Sequence, residues 1–331
     1  MISVQAVVAA GDRQAARAVY GESKVFLEID RRPLVAHVVA ALQRVPEVSE
    51  VWVVGNSERL GGVFGRPDVM GEITKPLYVL EQFRNLYENA WESYRRLLPG
   101  AGPGGRDPEE GDLDTQVLYL SGDLPFATPQ EISEFIRRGV AQGCDYAVGL
   151  VPEESLRGFL PAVPGGPGVR MATFNLREGR FRQSNLHLVK PARLGNRLTI
   201  EEMYEHRHQR ELAEIVGLAW RILRKERGGL RLLYYYALMH LAGFADRRGW
   251  RRIADRVRRR VPMARVERGC SDLLRTRFRF VTTEVGGCAL DIDNQHEYEA
   301  SAARFREWSE AQAAQAEKLY GPPQLGPGKV E

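Results

Sequence analysis

The chain has 331 residues, of which 44% are hydrophobic and 27% charged, with a formal net charge of +4. These proportions are those of a globular protein of one or two domains, and the small charge gives no general reason to expect nucleic acid as a partner. No stretch approaches the roughly 18 apolar residues of a membrane span, and the first residues lack the basic start and long apolar run of a signal peptide. Three widely spaced cysteines with no metal-ligand spacing predict reduced thiols and a cytoplasmic location, while the oligomeric state stays unknown.

The first 150 residues alternate between apolar runs and helix-like segments. The runs VQAVVAAG, EVWVVGN, QVLYLSGD and DYAVGLV predict buried strands, with a shorter strand at 78–80. Thr128-Pro129 with Glu131 has the order of an N-cap, a first-turn proline and a capping box, which predicts a helix start. Because strands and helices alternate at this spacing, we expect a mostly parallel sheet with right-handed crossovers.

Five other segments have a different character. Residues 57–76 have the composition of a loop, and residues 99–114, rich in glycine, proline and acidic side chains, predict a mobile linker that does not pack. Residues 170–190 predict a hairpin joined by 177–180. Residues 199–260 are arginine-rich and helical in pattern, and a long polar helix is expected from about 296 to 320.

Small residues and cations follow the first predicted strand. Ala9, Ala10 and Gly11 let backbone N–H groups approach a phosphate closely, and Arg13 and Lys24 supply positive charge. The stretch is neither of the two common glycine-rich phosphate motifs, because Gly11 stands alone. A plain strand-to-loop turn is the alternative interpretation of this segment.

Carboxylates follow two other predicted strands. Asp123 stands after the turn Ser121-Gly122, where we expect its side chain to be exposed, and Asp291 and Asp293 follow a strand near the C-terminus. Carboxylates that converge from distant strand ends need a cation between them, and hard oxygen ligands suit Mg²⁺ with phosphate oxygens completing its shell. The alternatives are a capped loop at Asp123 and a helix N-cap at Asp293 or Asn294.

Taken together, these motifs resemble the nucleotidyltransferases with a glycosyltransferase-A-like fold, particularly the branch similar to molybdopterin guanylyltransferase. The shared features are AAG at 9–11, SK at 23–24, an RRPL turn at 31–34, GDLP at 122–125, GRFRQSNLHL at 179–188 and DIDNQHEY at 291–298. The resemblance covers about 1–195 and 277–300. It implies an α/β, Rossmann-like, mostly parallel sheet flanked by helices, with an added hairpin and a helical insertion at about 199–262 in one domain over 1–309. Residues 310–331 would be the helix end and a flexible tail.

The resemblance also implies an activity and a set of site residues. The expected reaction is Mg²⁺-dependent transfer of NMP from an NTP to a small phosphorylated or hydroxyl acceptor, with release of pyrophosphate. Lys24 and Arg13 would be catalytic, Asn185 would bind the acceptor, and Asp123 and Asp293 would hold the metal, with Asp291 as the alternative second ligand. The nucleotide would be bound by Ala9, Ala10, Gly11, Asp12, Arg13, Lys24 and Gly122.

One departure from the family pattern leaves other functions open. Asp12 puts a carboxylate beside the expected triphosphate, where the family often has a second glycine, and Arg17 is a possible compensation. A non-catalytic nucleotide-binding homologue is therefore one alternative. The other is a glycosyltransferase of the same fold that uses a nucleotide-sugar. Release of pyrophosphate from an NTP distinguishes nucleotidyl transfer from both.

The arginine-rich insertion has two interpretations. The positions Leu232, Leu233, Tyr236, Met239, His240 and Gly243 share a helical spacing that predicts a buried helix face. We expect this face to pack near the hairpin, and the insertion to cover the acceptor half of the cleft. Arg251, Arg252, Arg258 and Arg259 would then be solvated, or would collect an anionic acceptor. His206 and His208 point to different helix faces, which argues against zinc.

Overall fold

The computed structural model describes residues 2–12, 18–196 and 229–323. Arg13, Arg17, His206 and His208 lie outside these ranges, as does much of the predicted insertion. The strands in chain order are β1 (Val4–Ala10), β2 (Ala18–Val19), β3 (Glu22–Ser23), β4 (Glu28–Ile29), β5 (Arg32–Pro33), β6 (Val48–Gly55), β7 (Leu77–Glu81), β8 (Val117–Ser121), β9 (Tyr146–Pro152), β10 (Phe174–Leu176), β11 (Gly179–Val189) and β12 (Phe278–Thr282). The α-helices are α1 (Leu34–Gln43), α2 (Ser57–Phe64), α3 (Pro67–Met70), α4 (Leu86–Leu97), α5 (Pro129–Ala141), α6 (Gly229–Arg247), α7 (Arg251–Arg258), α8 (Met263–Leu274), α9 (Gln295–Ala303) and α10 (Phe305–Tyr320).

The main sheet has the strand order β12-β9-β11-β8-β1-β6-β7, with β10 paired to the N-terminal end of β11. Its neighbouring strands are parallel, except that β11 runs antiparallel to β8, β9 and β10. The strands β2 and β3, and likewise β4 and β5, form two short antiparallel ribbons beside it. The predicted α/β fold with a mostly parallel sheet and an added hairpin is confirmed.

Helices cover both faces of the sheet and bury the side chains that alternate along its central strands. Val8 of β1 packs in a core with Val38 and Leu42 of α1, whereas Val7 packs in a separate core with Tyr94 of α4. Since successive side chains of a strand point to opposite faces, β1 is covered by helices on both sides. This cover leaves the carboxyl ends of the strands as the open edge of the sheet.

The interpretation of residues 57–76 as a loop is wrong. Asn56 caps α2, because its Oδ1 accepts a hydrogen bond of 3.1 Å from the N–H of Arg59. Leu60, Val63 and Phe64 lie on the buried face of this helix. Gly61 and Gly62 obscured that apolar spacing in the sequence, although they lie on the open side, where an added Cβ would meet nothing within 4 Å.

The expectation that residues 99–114 do not pack is also wrong. Asp112 in this segment is only 6% exposed and forms an ion pair of 2.6 Å with Arg106. The hydroxyl of Tyr94 in α4 donates a hydrogen bond of 3.2 Å to the backbone carbonyl of Asp112. An internal ion pair therefore holds the segment together, and the backbone carbonyl of Asp112 attaches it to α4.

The insertion packs against the hairpin, as the sequence predicts. The shared core consists of Leu150, Leu176, Phe181, Tyr235, Val261 and Val266. Two side chains assigned to the buried face of α6 lie elsewhere, since Tyr236 and His240 line a cavity and Tyr236 is 54% exposed. Arg258 is not solvated either, because it makes an ion pair of 2.9 Å with Asp246, whereas Arg259 is exposed.

The expected long C-terminal helix is two helices, α9 and α10, that meet at Arg304. Trp308 of α10 is 1% exposed and packs edge-to-face against Phe126 and Phe159, at 5.4 and 5.1 Å between ring centroids. The break at Arg304 lets α10 turn onto this aromatic cluster. Within the described ranges, no helix is long and apolar enough to cross a membrane.

Candidate functional site

The strand ends of β1, β6 and β8 approach one another more closely than side chains would allow. The N–H of Gly122 donates a hydrogen bond of 2.9 Å to the carbonyl of Ala9. A Cβ on Gly122 would lie 3.1 Å from that carbonyl oxygen, and a Cβ on Gly55 would lie 2.3 Å from the carbonyl oxygen of Ala10. Glycine at these two positions therefore brings the predicted AAG loop beside the GD turn.

Lys24 lies between two carboxylates at this edge of the sheet. It begins a short 3₁₀ helix that spans Lys24–Phe26. Its Nζ is 2.6 Å from Oδ2 of Asp123 and 2.8 Å from Oδ1 of Asp293, a residue 269 positions away in the sequence. Three predicted site residues from separate motifs thus meet at one ammonium group.

The protonation of the triad formed by Lys24, Asp123 and Asp293 depends on burial. Asp123 is 0% exposed, contrary to the expectation of an exposed strand end, and its Oδ1 accepts a hydrogen bond from the Ser121 hydroxyl. Burial raises the pKa of Asp123, against the attraction of Lys24. Burial opposes the charge of Lys24 as well, but Asp123 and Asp293 outweigh it and hold the pKa of Lys24 above its usual value. The positive charge of Lys24 and the negative charge of Asp123 therefore stabilise each other against the cost of burial.

Asp291 and Asp293 have different partners. Asp291 accepts a hydrogen bond of 2.8 Å from Nη2 of Arg182 on β11, and Nε of Arg182 donates at 2.7 Å to the carbonyl of Ala289. Ile292 between the two aspartates is fully buried. Arg182 thus fixes the segment at Ala289–Asp291, and it is Asp293 that reaches Lys24.

The start of α9 positions Asp293. Oδ1 of Asn294 accepts a hydrogen bond of 3.0 Å from the N–H of Glu297, and Oε2 of Glu297 accepts one of 2.7 Å from the N–H of Asp293. Asn294 is therefore the N-cap that the sequence offered as one interpretation, while the carboxylate of Asp293 stays beside Lys24.

The donor set at this edge suits Mg²⁺ only in part. Asp123 and Asp293 offer hard oxygen ligands close enough to share one cation, because their oxygens contact the same Nζ. In the described part of the chain, no group of three or more His, Cys, Asp or Glu side chains could hold a metal ion by itself. Mg²⁺ is commonly held by one or two carboxylates with water and substrate phosphates, so the pair fits a metal that arrives with a nucleotide.

Asp12 does not stand free in the loop. Its N–H donates a hydrogen bond of 3.0 Å to Oε1 of Gln82, and Nε2 of Gln82 donates to its Oδ1. Nη1 of Arg59 lies 3.7 Å from its Oδ2. The amide of Gln82 and the guanidinium of Arg59 partly neutralise this carboxylate. It would therefore repel a triphosphate less than the sequence alone suggests.

Asn185 lines a cavity of about 920 Å³, whose lining does not include Asp123 or Asp293. The other walls come from Asp291, from the hairpin strands and from α6. Sequence analysis named neither Arg182 nor Gln82 as a site residue. Both contacts join segments far apart in the chain, and no local motif marks either residue.

Comparison with known proteins agrees with these motifs. Residues 6–158 match the model of the MobA-like NTP transferase domain. A 2-C-methyl-D-erythritol 4-phosphate cytidylyltransferase from Chlorobium luteolum is 24% identical over 143 residues, which are 43% of this chain and 57% of that protein. The chain therefore matches little more than half the length of this relative.

A solved structure shares the fold over most of the chain. A hypothetical transferase from Thermus thermophilus has a TM-score of 0.58 at 20% identity, covering 89% of this chain and 99% of its own. The match of residues 6–158 to that family model confirms the resemblance to nucleotidyltransferases that the motifs predict, and the solved structure shows the shared fold.

Proposed function

We propose that the protein is a Mg²⁺-dependent nucleotidyltransferase that moves NMP from an NTP to a small phosphorylated or hydroxyl acceptor and releases pyrophosphate. The observation that carries this proposal is the position of Lys24, whose Nζ lies 2.6 Å from Asp123 and 2.8 Å from Asp293. A lysine and two carboxylates at the open edge of an NTP transferase sheet suit a phosphate-transfer site. The three free cysteines support a cytoplasmic enzyme.

The nucleotide would bind over the loop that follows β1. Ala9 and Ala10 are the last two residues of β1 and pair within the sheet, so Gly11 after them would be the residue of this motif that presents its backbone N–H group to a phosphate oxygen. Arg13, predicted to contribute from the same loop, lies outside the described residues. CTP is the first donor to try, because the relative at 24% identity is named a cytidylyltransferase.

Asp123 and Asp293 would hold Mg²⁺ together with phosphate oxygens. When bound, the ion would supply charge stabilisation at the phosphate that is transferred. The Nζ of Lys24 would then leave the carboxylates and contact phosphate oxygens, where its positive charge balances the transition state and the departing pyrophosphate.

The reaction needs no side-chain nucleophile. An oxygen of the acceptor forms a bond to the α-phosphorus while the bond to the bridging oxygen breaks, and pyrophosphate leaves with that oxygen; an ionised phosphate acceptor has no proton to lose, whereas a hydroxyl acceptor would release its proton to solvent. Catalysis of this kind depends on positioning and on fixed charges. Asn185 at the border of the cavity would orient the acceptor through its amide.

The experiment is a comparison of CTP, GTP, ATP and UTP with Mg²⁺. Binding is measured by thermal shift, and pyrophosphate release is measured with a panel of sugar, polyol and pterin phosphates. We expect one NTP to stabilise the protein only when Mg²⁺ is present, and an acceptor to trigger pyrophosphate release. Stabilisation without release from any acceptor would support the non-catalytic alternative, and a response to nucleotide-sugars instead would support a glycosyltransferase.

A further inference from the structure

The helix α6 carries an apolar stripe on its solvent side. The members of the stripe, spaced by four, three, four and three residues, are Leu230, Tyr234, Ala237, Leu241 and Phe244. The four large side chains among them are between 41 and 53% exposed. This spacing keeps them within about 80° of one another around the helix axis. Tyr235 and Ala242, which are buried, mark a different face as the packed one, so the stripe points away from the core.

The apolar surface continues onto the next helix, α7. The connection is tight, because the N–H of Trp250 donates a hydrogen bond of 2.9 Å to the carbonyl of Ala245. The rings of Phe244 and Trp250 meet edge-to-face with their centroids 6.1 Å apart. Trp250 and Ile253 are 50 and 48% exposed and line one open depression of the surface. We call the exposed large apolar residues of both helices the α6–α7 patch: Leu230, Tyr234, Leu241, Phe244, Trp250 and Ile253.

Arginine side chains border this patch. Arg251 and Arg252 line the same depression as Trp250. The guanidinium carbon of Arg248 lies 5.1 Å from the centre of the Phe244 ring. Apolar and cationic groups are therefore mixed on one surface.

The positive charge of this region is largely unbalanced. Residues 246–260 contain eight arginines and two acidic residues, Asp246 and Asp255. Both carboxylates pair with Arg258, at 2.9 and 3.2 Å. Within the described part of the chain, the other seven arginines of this segment form no ion pair. Their charge is thus available to an anionic partner.

Contiguous exposed apolar surface marks a site of interaction, and the surrounding charge limits the partner. A second copy of the chain would bring the same arginines face to face in a symmetric contact, which like-charge repulsion disfavours. Nucleic acid would satisfy the arginines and stack on aromatic rings, but Leu230, Leu241 and Ile253 offer it no stacking surface. A bilayer with anionic headgroups suits both the aliphatic and the cationic side chains.

We infer that the α6–α7 patch docks the protein on an anionic membrane surface. The apolar side chains would enter the boundary between headgroups and acyl chains, and Arg248, Arg251 and Arg252 would contact lipid phosphates. Trp250 suits this boundary, because its indole joins a large apolar ring to one N–H donor. Docking of this kind requires neither nucleotide nor Mg²⁺, so it does not depend on the proposed function.

Co-sedimentation of the full chain with lipid vesicles tests the inference. One set of vesicles is phosphatidylcholine alone, and the other contains equal parts of phosphatidylcholine and phosphatidylglycerol. We expect the protein to sediment with the anionic vesicles at least about tenfold more strongly than with the neutral ones, since each arginine near an anionic surface contributes about fivefold. Added salt should weaken this binding, because ions screen the arginines from the headgroups.

A charge variant and its control locate the effect. Arg251→Gln combined with Arg252→Gln should weaken binding to anionic vesicles by about tenfold or more. The control, Arg44→Gln combined with Arg157→Gln, removes the same charge from exposed positions outside α6 and α7 and should bind as the parent does.

An apolar variant tests the other half of the surface. Leu241→Gln combined with Trp250→Gln keeps every arginine and should also weaken vesicle binding by about tenfold, because less apolar surface enters the bilayer. Met70→Gln combined with Leu319→Gln, at side chains that are 58 and 47% exposed elsewhere, should not. Circular dichroism melts confirm that each variant is folded.

Several results would overturn the inference. These are no vesicle binding by the parent, equal binding to neutral and anionic vesicles, or control variants that lose as much as the patch variants. Retention of a single-stranded RNA oligonucleotide without vesicle binding would assign the patch to nucleic acid instead. A dimer in light scattering that Leu241→Gln with Trp250→Gln converts to a monomer, again without vesicle binding, would assign it to a second copy.

Discussion

Replacing Lys24 with methionine should destabilise the ligand-free protein. Asp123 is 0% exposed and Lys24 is the cation at 2.6 Å from its carboxylate, so Lys24→Met leaves a buried charge without a counterion. Removal of one partner from a buried ion pair typically costs about 3–5 kcal/mol. We expect the lower end, about 3 kcal/mol, because the Lys24 side chain is itself 17% exposed.

The cost should depend on pH with a defined sign. Without Lys24 the pKa of Asp123, already raised by burial, rises further above its value in the unfolded chain. The destabilisation is therefore largest above that folded-state pKa and is relieved as the pH falls through it. Thermal unfolding followed by circular dichroism at about pH 7.5 and about pH 5, without nucleotide or Mg²⁺, measures both. For a chain of 331 residues, a loss of about 3 kcal/mol corresponds to a drop in Tm of about 4 °C.

The double variant Lys24→Met with Asp123→Asn is the matched control. It removes both charges, and replacing both members of a buried pair is often close to neutral. We therefore expect it to be more stable than Lys24→Met alone at about pH 7.5. A single variant as stable as the parent, or a deficit that does not change with pH, would refute the buried ion pair.

Three further predictions concern the scaffold. Glu131 is fully buried, and burial raises its pKa to about 8, although a hydrogen bond from the N–H of Cys288 opposes this rise. The stability of the protein should therefore fall as the pH rises toward 8. Thermal melts at a series of pH values should show that Glu131→Gln removes this dependence. Gly287→Ala should lower Tm by several degrees, because its Cβ would lie 1.9 Å from a carbonyl oxygen, whereas Gly102→Ala, with open space around it, should not. Urea unfolding should show a loss of about 1 kcal/mol for Arg258→Gln, since its ion pair with Asp246 is partly buried, and an unchanged midpoint would contradict that pairing.

The sheet and the central triad were predictable from local patterns. Buried strands are continuous apolar runs, and parallel strands place their carboxyl ends at one edge, so Asp123 and the AAG loop had to be neighbours. The order of motifs then placed Lys24 and Asp293 at the same edge. Their meeting at 2.6 and 2.8 Å agrees with that reasoning.

The burial of Asp123 was not predictable in the same way. The sequence shows a strand end followed by a turn, which suggests exposure. In the fold, Lys24 covers the carboxylate, and the segment at Gly287 packs against the backbone of Phe126 just beyond it. Gly287 lies 161 positions after Phe126 in the sequence, so no local pattern around Asp123 could predict this contact.

The partners of Asp12 and Asp291 could not be predicted for the same reason. Asp12 appeared to oppose a triphosphate, but Gln82, which follows β7, binds it. Asp291 was the alternative to Asp293 as the second metal ligand, and Arg182 on β11 binds it. Both partners come from strands whose position depends on the order of the whole sheet rather than on their own residues.

The most direct test of the nucleotidyltransferase proposal is Mg²⁺-dependent binding of NTPs to the parent and to Asp123→Asn. The account predicts that CTP or another NTP stabilises the parent in thermal shift only with Mg²⁺, and that Asp123→Asn, still folded by circular dichroism, loses this stabilisation. Lys24→Met should lose about 1.5–3 kcal/mol of binding at its charge-assisted phosphate contact. Equal Mg²⁺-dependent stabilisation of the parent and Asp123→Asn would contradict the account, as would the absence of any NTP binding to the parent.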